Sequence, residues 1–410
     1  MTYRITAPSK VDALINLPAS KSISNRALAI HALSGGATTP ENLSHCDDTD
    51  VMRAALSNMP DVIDIGAAGT AMRFLTALLS TTEGQHTITG TERMKQRPIT
   101  VLVDALRKLG ADIEYEENEG FPPLRINGRQ LLGGELQMPG NVSSQYVSAL
   151  LMVGAVLQRG LTLHLTGEVI SRPYIDLTLS MMRHYGAEAA WESDNTITVK
   201  STGYQDRPFL IENDWSAASY WYAIMALTAD DSSTVSLPGL FDGSQQGDSV
   251  VRFLYSMMGV KTSFADGGVV LTKHASNLPR IDYDFSGTPD LAQTLVTTCC
   301  ALGVKFHFKG LSTLKIKETD RIEALKTELG KLGFAIEERN DSELLWDGER
   351  HEPAADTRID TYNDHRMAMA IAPMAMKLGP VSINNPEVVT KSYPDYWDHL
   401  RLAGFTIEEL

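Results

Sequence analysis

The sequence contains few of the residue patterns on which metal-binding, secreted and membrane proteins depend. Its three cysteines, Cys46, Cys299 and Cys300, show neither a metal-ligand spacing nor a disulfide framework. The N-terminus has no apolar core of the signal-peptide kind. The longest apolar runs, 149–157 and 367–376, are well short of the ~18 residues that a membrane span needs. We therefore expect a cytoplasmic protein without a membrane partner, in which the adjacent Cys299 and Cys300 pack in a buried helix.

Positive charge is also in deficit, with 36 Lys and Arg against 51 Asp and Glu and a formal net charge of −15. Such a chain is not expected to bind nucleic acid. The tracts G-x-x-x-x-G-K-[S/T] and G-x-G-x-x-G, which nucleotide-binding α/β domains use, are absent. A chain this acidic can hold an anionic substrate only by concentrating its cations locally.

What the sequence does contain is an internal repeat over its 410 residues. Ala-rich apolar helices recur at roughly 73-residue intervals, after a first interval shorter by about 25 residues. They start at Ser22, Gly69, Ser143, Asp214, Asp290 and Asp364. An amphipathic helix follows each of them, beginning near Thr49, Ile99, Ile175, Asp248, Thr319 and Pro394. Because alternating strands come next, the unit is strand–helix–strand–helix–hairpin, and an accidental spacing in a generic α/β protein is disfavoured.

Six repeats divide naturally into three and three. We predict a discontinuous domain of residues 1–19 and 213–410, which carries both chain ends, and a second domain of residues 20–212. The first repeat lacks a full hairpin, and the last ends in the single strand 406–410, which the opening segment could return to complete. No Gly/Ser or Pro-rich linker separates the halves, so two close crossing strands are expected.

Three tracts combine cations with carboxylates or hydroxyls at predicted helix starts: S-K-S-I-S-N-R at 20–26, K-E-T-D-R at 317–321 and T-Y-N-D-H-R at 361–366. Helix N-termini offer unpaired N–H groups and suit anions. Gly69-Thr70 and Ser143-Ser144-Gln145 open two further helices. Each tract alone is also explained by a helix cap or a surface ion pair. Their equivalent places in the repeat favour a site for small, multiply anionic substrates.

Within the second tract, Lys317 and Arg321 are four residues apart. We place them on one face of a helix, with Glu318 about a quarter-turn away. Asp364 is expected either to cap the last apolar helix, with His365 and Arg366 facing solvent, or to belong to the site.

The chain resembles the enolpyruvyl transferases, and specifically the EPSP (enolpyruvylshikimate phosphate) synthase family, along essentially its whole length. The tracts that carry the resemblance are, in order, P-A-S-K-S-I-S-N-R, A-G-T-A-M-R, K-Q-R-P-I, G-N-V-S-S-Q-Y-V-S-A-L-L, S-R-P-Y-I-D, E-N-D-W-S-A-A-S-Y, Q-G-D, K-E-T-D-R, Y-N-D-H-R-M-A-M and K-S-Y-P-D-Y. The resemblance implies an α/β fold, a two-domain inside-out α/β barrel in which each domain holds three βαβαββ units and the first unit is shortened.

The resemblance also implies transfer of the enolpyruvyl group of phosphoenolpyruvate (PEP) to the 5-hydroxyl of shikimate 3-phosphate, with release of phosphate. This step belongs to the shikimate pathway, which leads to chorismate and the aromatic amino acids, and the herbicide glyphosate inhibits the family at the PEP site. No metal and no organic cofactor are implied. A monomer is expected.

Carried over position by position, the resemblance implies the following roles. Shikimate 3-phosphate would contact Lys21, Ser22, Arg26, Ser143, Ser144, Gln145, Ser171, Tyr174, Asp290, Thr313 and Lys317. PEP would contact Lys21, Gly69, Arg97, Gln145, Arg321, Arg366 and Lys391. Asp290 would accept the proton of the attacking hydroxyl and Glu318 would protonate the PEP methylene carbon, with Lys21 and His365 as auxiliary catalytic groups.

Three positions depart from the family pattern. Ala67 stands where Asn is common, Phe74 where many members have Pro, and Thr313 where some have Asn. Two other functions stay open: transfer to a UDP-amino sugar, which requires a reactive Cys on a loop, and a catalytically inactive scaffold, which predicts loss of a charged site residue.

Overall fold

The computed structural model describes all 410 residues, which form two compact units. The terminal unit comprises Met1–Pro18 and Glu212–Leu410, and the inserted unit comprises Ala19–Ile211. Each unit has its own hydrophobic core. None of the helices combines the length and the apolarity that crossing a bilayer requires.

The α-helices are α1 (Lys21–Ser34), α2 (Asp47–Asn58), α3 (Gly69–Thr81), α4 (Thr100–Lys108), α5 (Ser144–Gly154), α6 (Arg172–His184), α7 (Trp215–Leu227), α8 (Val251–Met257), α9 (Ala292–Leu302), α10 (Arg321–Lys331), α11 (His365–Ile371), α12 (Ala375–Leu378) and α13 (Tyr396–Leu402). The strands are β1 (Thr2–Thr6), β2 (Asp12–Leu14), β3 (Val62–Asp64), β4 (Gly84–Thr89), β5 (Asp112–Tyr115), β6 (Leu124–Gly128), β7 (Gly134–Pro139), β8 (Leu161–Thr166), β9 (Ala189–Ser193), β10 (Thr196–Val199), β11 (Thr234–Pro238), β12 (Val260–Ala265), β13 (Gly268–Lys273), β14 (Arg280–Asp284), β15 (Lys305–Lys309), β16 (Glu337–Arg339), β17 (Glu343–Trp346), β18 (Arg358–Ile359), β19 (Val381–Asn384) and β20 (Thr406–Glu409).

The predicted repeat is confirmed in five four-stranded sheets. Each sheet has one parallel and two antiparallel strand pairings. In the sheets that begin with β3, β7 and β14, one helix joins the two parallel strands and a closing hairpin supplies the antiparallel strands. The strand orders are β3-β4-β6-β5, β7-β8-β10-β9, β2-β11-β13-β12, β14-β15-β17-β16 and β18-β19-β1-β20. A crossover helix is what a parallel pair requires, because its strands run in the same direction.

The opening segment completes two repeats of the terminal unit. Strand β1 lies antiparallel between β19 and β20, so the return of the N-terminus to the last repeat is confirmed. Strand β2 pairs in parallel with β11 and begins the repeat that contains α7. In the inserted unit the first repeat has α1 and α2 and, in place of a sheet, the single bridge between Glu41 and Leu210.

The first helix of each repeat lies in the interior of its unit. Nearly every residue of α3, α5, α7 and α9 is buried, which fits helices that are apolar on all sides. Helices α1, α3 and α5 contact one another in the inserted unit, and α9 contacts both α7 and α11 in the terminal unit. Cys299 and Cys300 are buried in α9, as expected. This is the inside-out arrangement, with helices inside and sheets outside.

Candidate active site

A group of buried and half-buried charges lies at the helix starts of the terminal unit. We call it the carboxylate–cation cluster, and its members are Asp290, Lys317, Glu318, Arg321, Asp364, Arg366 and Lys391. Arg321, 1% exposed, is at its centre. Its guanidinium donates to Asp364 Oδ2 (2.7 Å), Asp290 Oδ1 (3.2 Å) and Glu318 Oε2 (2.9 Å). Burial opposes this charge, but the three carboxylates together raise the pKa of Arg321 above its ordinary value.

Asp290 is held by cations on both of its oxygens. Oδ1 lies 3.7 Å from Lys317 Nζ as well as accepting from Arg321, and Oδ2 lies 2.9 Å from Arg366 Nη2. The residue belongs to the 3₁₀ turn Pro289–Leu291, which leads directly into α9. Desolvation lowers the pKa of Lys317, while the charge of Asp290 acts in the opposite direction. The Asp290 carboxylate is therefore fixed in one orientation.

Glu318 bridges two cations, since its Oε1 lies 3.0 Å from Lys391 Nζ while Oε2 accepts from Arg321.

The expectation that Lys317 and Arg321 share a helical face is wrong. Helix α10 begins only at Arg321, because the carboxylate of Asp320 caps its first turn. Lys317 and Glu318 lie in the loop before the helix and reach the cluster from there.

Asp364 combines the two roles that the sequence left open. It is the N-cap of α11, and its Oδ1 accepts the N–H of Arg366 (2.9 Å). It also binds Arg321, so its capping is not the whole of its function. His365 and Arg366 are buried and do not face solvent. His365 Nδ1 is 3.7 Å from Asp364, and Arg366 Nη1 donates to the hydroxyl of Tyr220 (3.3 Å).

Asp248 is a further buried carboxyl beside the cluster, and no role was predicted for it. It accepts a hydrogen bond from Ser216 Oγ at the start of α7. Burial, with a smaller effect from the negative charge of Asp290, raises the pKa of Asp248 to about 7. Arg366 acts in the opposite direction. The cluster therefore borders a carboxyl that changes charge near neutral pH.

In the inserted unit, the predicted site residues lie at or next to the starts of helices that pack on one another. Lys21, Ser22 and Arg26 are in α1; Gly69 opens α3; Ser143 caps α5, which begins with Ser144 and Gln145; Ser171 is the N-cap residue of α6, which contains Tyr174; and Arg97 follows the 3₁₀ turn Met94–Gln96.

Arg26 is buried and joins three of these helices. It donates to Thr178 Oγ1 (2.7 Å), to Ser148 Oγ (3.1 Å) and to the carbonyl of Ser22 (2.9 Å). Burial lowers its pKa to about 10. Because these acceptors are neutral oxygens, the guanidinium suits an anionic ligand that supplies the compensating charge.

Arg97 lies over the backbone of Gly69. A Cβ at Gly69 would be only 2.7 Å from Arg97 Nη1 and 3.1 Å from Cζ, so the absence of a side chain is what permits this approach. The Nε of Arg97 is buried without a hydrogen-bond partner. The carbonyl of Pro98 accepts from Tyr146 OH (2.6 Å) and Arg73 Nη2 (3.3 Å), which fixes the backbone next to Arg97.

The remaining polar groups tie the same helices together. Gln145 Nε2 donates to Thr70 Oγ1 (3.0 Å), which links the starts of α5 and α3. Lys21 Nζ is 3.5 Å from Asp48 of α2. Ser171 has a φ of 53°, an unusual left-handed conformation for a residue other than glycine. Strained backbone of this kind is concentrated at ligand-binding sites.

The structure shows the surroundings of Ala67, Phe74 and Thr313, the three residues that depart from the family pattern. Phe74 is buried inside α3, and the guanidinium of Arg26 lies 5.4 Å from its ring centroid in a cation–π contact. Phe74 lies in the second turn of α3, which begins at Gly69. Ala67 lies two residues before that start. Thr313 is half-buried in the 3₁₀ turn Ser312–Ile316, on the segment that leads to Lys317.

Sequence reasoning assigned no role to three charged residues in contact with the site: Asp48, Arg73 and Asp248. Arg73 could have been found, because a lone cation in the apolar helix G-T-A-M-R-F-L-T-A-L-L needs partners when the helix is buried. Asp48 lies in an acidic run, D-D-T-D, and nothing in the sequence separates it from its neighbours.

Together, the fold and the clusters define a protein of two βαβαββ-repeat units with cations concentrated at interior helix starts. A family model described as EPSP synthase (3-phosphoshikimate 1-carboxyvinyltransferase) matches residues 5–61 and 56–400. Proteins named 3-phosphoshikimate 1-carboxyvinyltransferase are similar over the full chain. One from Bacteroides fragilis is 59% identical and covers 100% of this chain and 99% of its own. One from Aliivibrio salmonicida is 37% identical and covers 96% and 97%.

The solved EPSP synthase of Acinetobacter baumannii has the same fold, with a TM-score of 0.78, 21% identity and full coverage of both chains. The chain belongs to the EPSP synthase family.

Asp248 gives the first testable prediction. Its pKa is higher in the folded than in the unfolded chain, so folding favours the protonated form. The resulting stability is present at low pH and is lost as pH rises through about 7. Asp248→Asn removes this proton linkage with little change of shape. Relative to the parent, we expect the variant to gain free energy of unfolding from pH 5 to pH 8, by at most about 1.4 kcal/mol per pH unit.

Urea unfolding at pH 5, 6, 7 and 8 measures this difference, with Asp242→Asn, an exposed carboxylate of the same unit, as the matched control. A difference between Asp248→Asn and the parent that stays constant over this range would contradict the prediction.

Proposed function

We propose that this chain transfers the enolpyruvyl group of PEP to the 5-hydroxyl of shikimate 3-phosphate and releases inorganic phosphate. Beside family membership, the carboxylate–cation cluster is the observation that carries the proposal. Asp290 and Glu318 are both fixed there by Lys and Arg side chains. The reaction needs groups that bind phosphate and carboxylate and groups that move protons, and the cluster offers both.

We assign shikimate 3-phosphate to Lys21, Ser22, Arg26, Ser143, Ser144, Gln145, Ser171, Tyr174, Asp290, Thr313 and Lys317. The burial of Arg26 among neutral oxygens supports its assignment to the substrate phosphate. The hydroxyls of Ser143 and Ser144, at the start of α5, suit the polar groups of a sugar-like ring.

We assign PEP to Lys21, Gly69, Arg97, Gln145, Arg321, Arg366 and Lys391. Guanidinium groups bind phosphate and carboxylate in a bidentate manner, which suits both ends of PEP. The buried Nε of Arg97, which has no hydrogen-bond partner, supports a ligand at that side chain.

The chemistry requires proton transfers in opposite directions. In the addition step, the 5-hydroxyl oxygen bonds to C2 of PEP as it loses its proton, and the methylene carbon gains one. In the elimination step, the new methyl group loses a proton as the bond to phosphate breaks. We assign the first acceptance to Asp290 and the methylene protonation to Glu318, with Lys21 and His365 as auxiliary groups. Each proton-transfer group must regain its starting state in the second step.

The assignment needs no metal or organic cofactor, because Lys and Arg side chains supply the positive charge. The absence of a cofactor, a monomeric state and a cytoplasmic location stay predictions.

The surroundings of the cysteines disfavour transfer to a UDP-amino sugar by a reactive thiol. Cys46, Cys299 and Cys300 are all buried, and burial raises the pKa of Cys299 and Cys300 well above the ordinary value. A reactive cysteine needs an accessible thiolate. A catalytically inactive scaffold is disfavoured because the charged residues of the proposed site are retained, and those of the terminal unit are in mutual contact.

The proposed reaction predicts phosphate release only when PEP and shikimate 3-phosphate are both supplied. A coupled phosphate assay on the purified chain, before and after dialysis against EDTA, measures this. We expect equal rates in the two preparations. Release from PEP alone would contradict the transfer reaction. Loss of activity on chelation, restored by added metal, would contradict only the metal-free assignment.

The two carboxylates give a second test. We expect Glu318→Gln and Asp290→Asn each to lower turnover by ~10²-fold or more, the usual scale for a proton-transfer group. Steady-state kinetics measure this, and the unfolding midpoint shows whether the variants stay folded. Glu323→Gln is the matched control, because this exposed glutamate of α10 pairs only with its helix neighbours. Near-normal turnover in either site variant would remove that residue from the proton-transfer role.

Gly69 gives a third test, on glyphosate. The added Cβ of Gly69→Ala would displace the Arg97 guanidinium, and glyphosate, which is longer than PEP, should be affected first. We expect glyphosate to inhibit the parent competitively with PEP and the variant to lose more affinity for glyphosate than for PEP. Inhibition kinetics with PEP varied measure both. Gly330→Ala is the control, since a Cβ there has open space. Equal losses for the two ligands would show that the added methyl does not discriminate between them.

A further inference from the structure

The segment before α11 is held in an unusual backbone conformation. Tyr362 and Asn363 have φ values of 53° and 56°, so two successive residues other than glycine are left-handed. Such residues cost of order 1–3 kcal/mol each and persist only where the surroundings impose them. Asp364 follows directly, and the segment therefore sets the direction in which Asp364, His365 and Arg366 enter the cluster.

A buried carboxylate of α10 is hydrogen-bonded to this segment. Glu328 is fully buried, and its Oε1 accepts from the hydroxyl of Tyr362 (2.5 Å) while Oε2 accepts from the N–H of Asp360 (3.0 Å). Lys331 Nζ lies 2.7 Å from Glu328 and 3.0 Å from Asp360. The segment is thus held at two points, one on each side of Thr361.

The same helix holds the far side of the segment. Arg321, seven residues before Glu328, lies on the same face of α10 and binds Asp364 through two hydrogen bonds (2.7 and 3.2 Å). Asp364 N–H in turn donates to the carbonyl of Thr361 (2.8 Å). Glu328 and Arg321, on one face of α10, therefore bind the segment on both sides of its left-handed residues.

We propose that Glu328 and Tyr362 are positioning residues, which hold the 360–363 segment so that Asp364 and Arg366 are presented to the PEP end of the reaction. They act through Asp364 and Arg366 and contact no substrate themselves. The part that concerns PEP rests on the function proposed above, whereas the coupling of Glu328 to the start of α11 does not.

Tyr362→Phe tests the proposal, because it removes only the hydroxyl. We expect the KM for PEP to rise about tenfold, the scale of one lost hydrogen bond to a charged group. The KM for shikimate 3-phosphate should change less than about twofold, since most of its assigned contacts are in the inserted unit. Glu328→Gln, which keeps one acceptor oxygen, should have a smaller effect than Glu328→Ala.

Hydrogen exchange supplies a readout that does not depend on activity. The amides of Asp364 and Arg366 should exchange faster in Tyr362→Phe, while amides elsewhere in the terminal unit keep their rates. Tyr222→Phe is the matched control, because it also loses a tyrosine hydroxyl bond, to Thr262, but away from the cluster. It should leave both KM values and these two amides unchanged.

The outcomes separate the two proposals. If the parent has no transferase activity but Asp364 and Arg366 exchange faster in Tyr362→Phe than in the parent, the coupling is supported and the proposed function is rejected. An active parent whose Tyr362→Phe variant keeps its KM for PEP and its exchange rates would reject the positioning role. Equal acceleration at all amides would also reject it, because that is the effect of general destabilisation.

Discussion

The buried ion pairs of Arg321 are the interaction on which the rest of the terminal-unit site depends. The guanidinium joins the turn before α9 through Asp290, the loop before α10 through Glu318 and the start of α11 through Asp364. Breaking such a group by removing one partner costs about 3–5 kcal/mol, because charges of one sign are left buried and close together. The geometry of the carboxylate–cation cluster is therefore inseparable from the folding of two adjacent repeats.

The repeat explains how a chain with an excess of acidic residues can bring several cations together at the starts of its interior helices. Each repeat contributes one interior helix whose first turn has unpaired N–H groups. Within each unit these helices pack on one another, so a polar residue placed at the same point of each repeat comes close to its counterparts. The four-stranded sheets pack outside these helices and hold their starts in register.

Much of the fold could be predicted from the sequence, because the period of the apolar helices is visible without any tertiary information. The return of β1 to the last repeat followed from a missing strand. The start of α10 was placed too early, because the spacing of Lys317 and Arg321 imitates a helical face while Asp320 sets the true start. The contacts of Asp48 and Asp248 with the site could not be predicted, because the partner of each carboxylate is distant in sequence. Periodicity reports burial along one helix, not which charges meet across several.

The hydrogen bonds that Arg321 already makes limit how many it can donate to a bound substrate. A guanidinium has five N–H donors, and four bonds from Arg321 already go to Asp364, Asp290 and Glu318. A bound anion therefore gains at most one hydrogen bond from it unless a carboxylate gives way. The main contribution of Arg321 is then to hold Asp290 and Glu318 in fixed orientations and to offset their charge. Because a group fixed before a reaction needs no reorganisation during it, Arg321 would serve the proposed proton transfers by Asp290 and Glu318 more than substrate affinity.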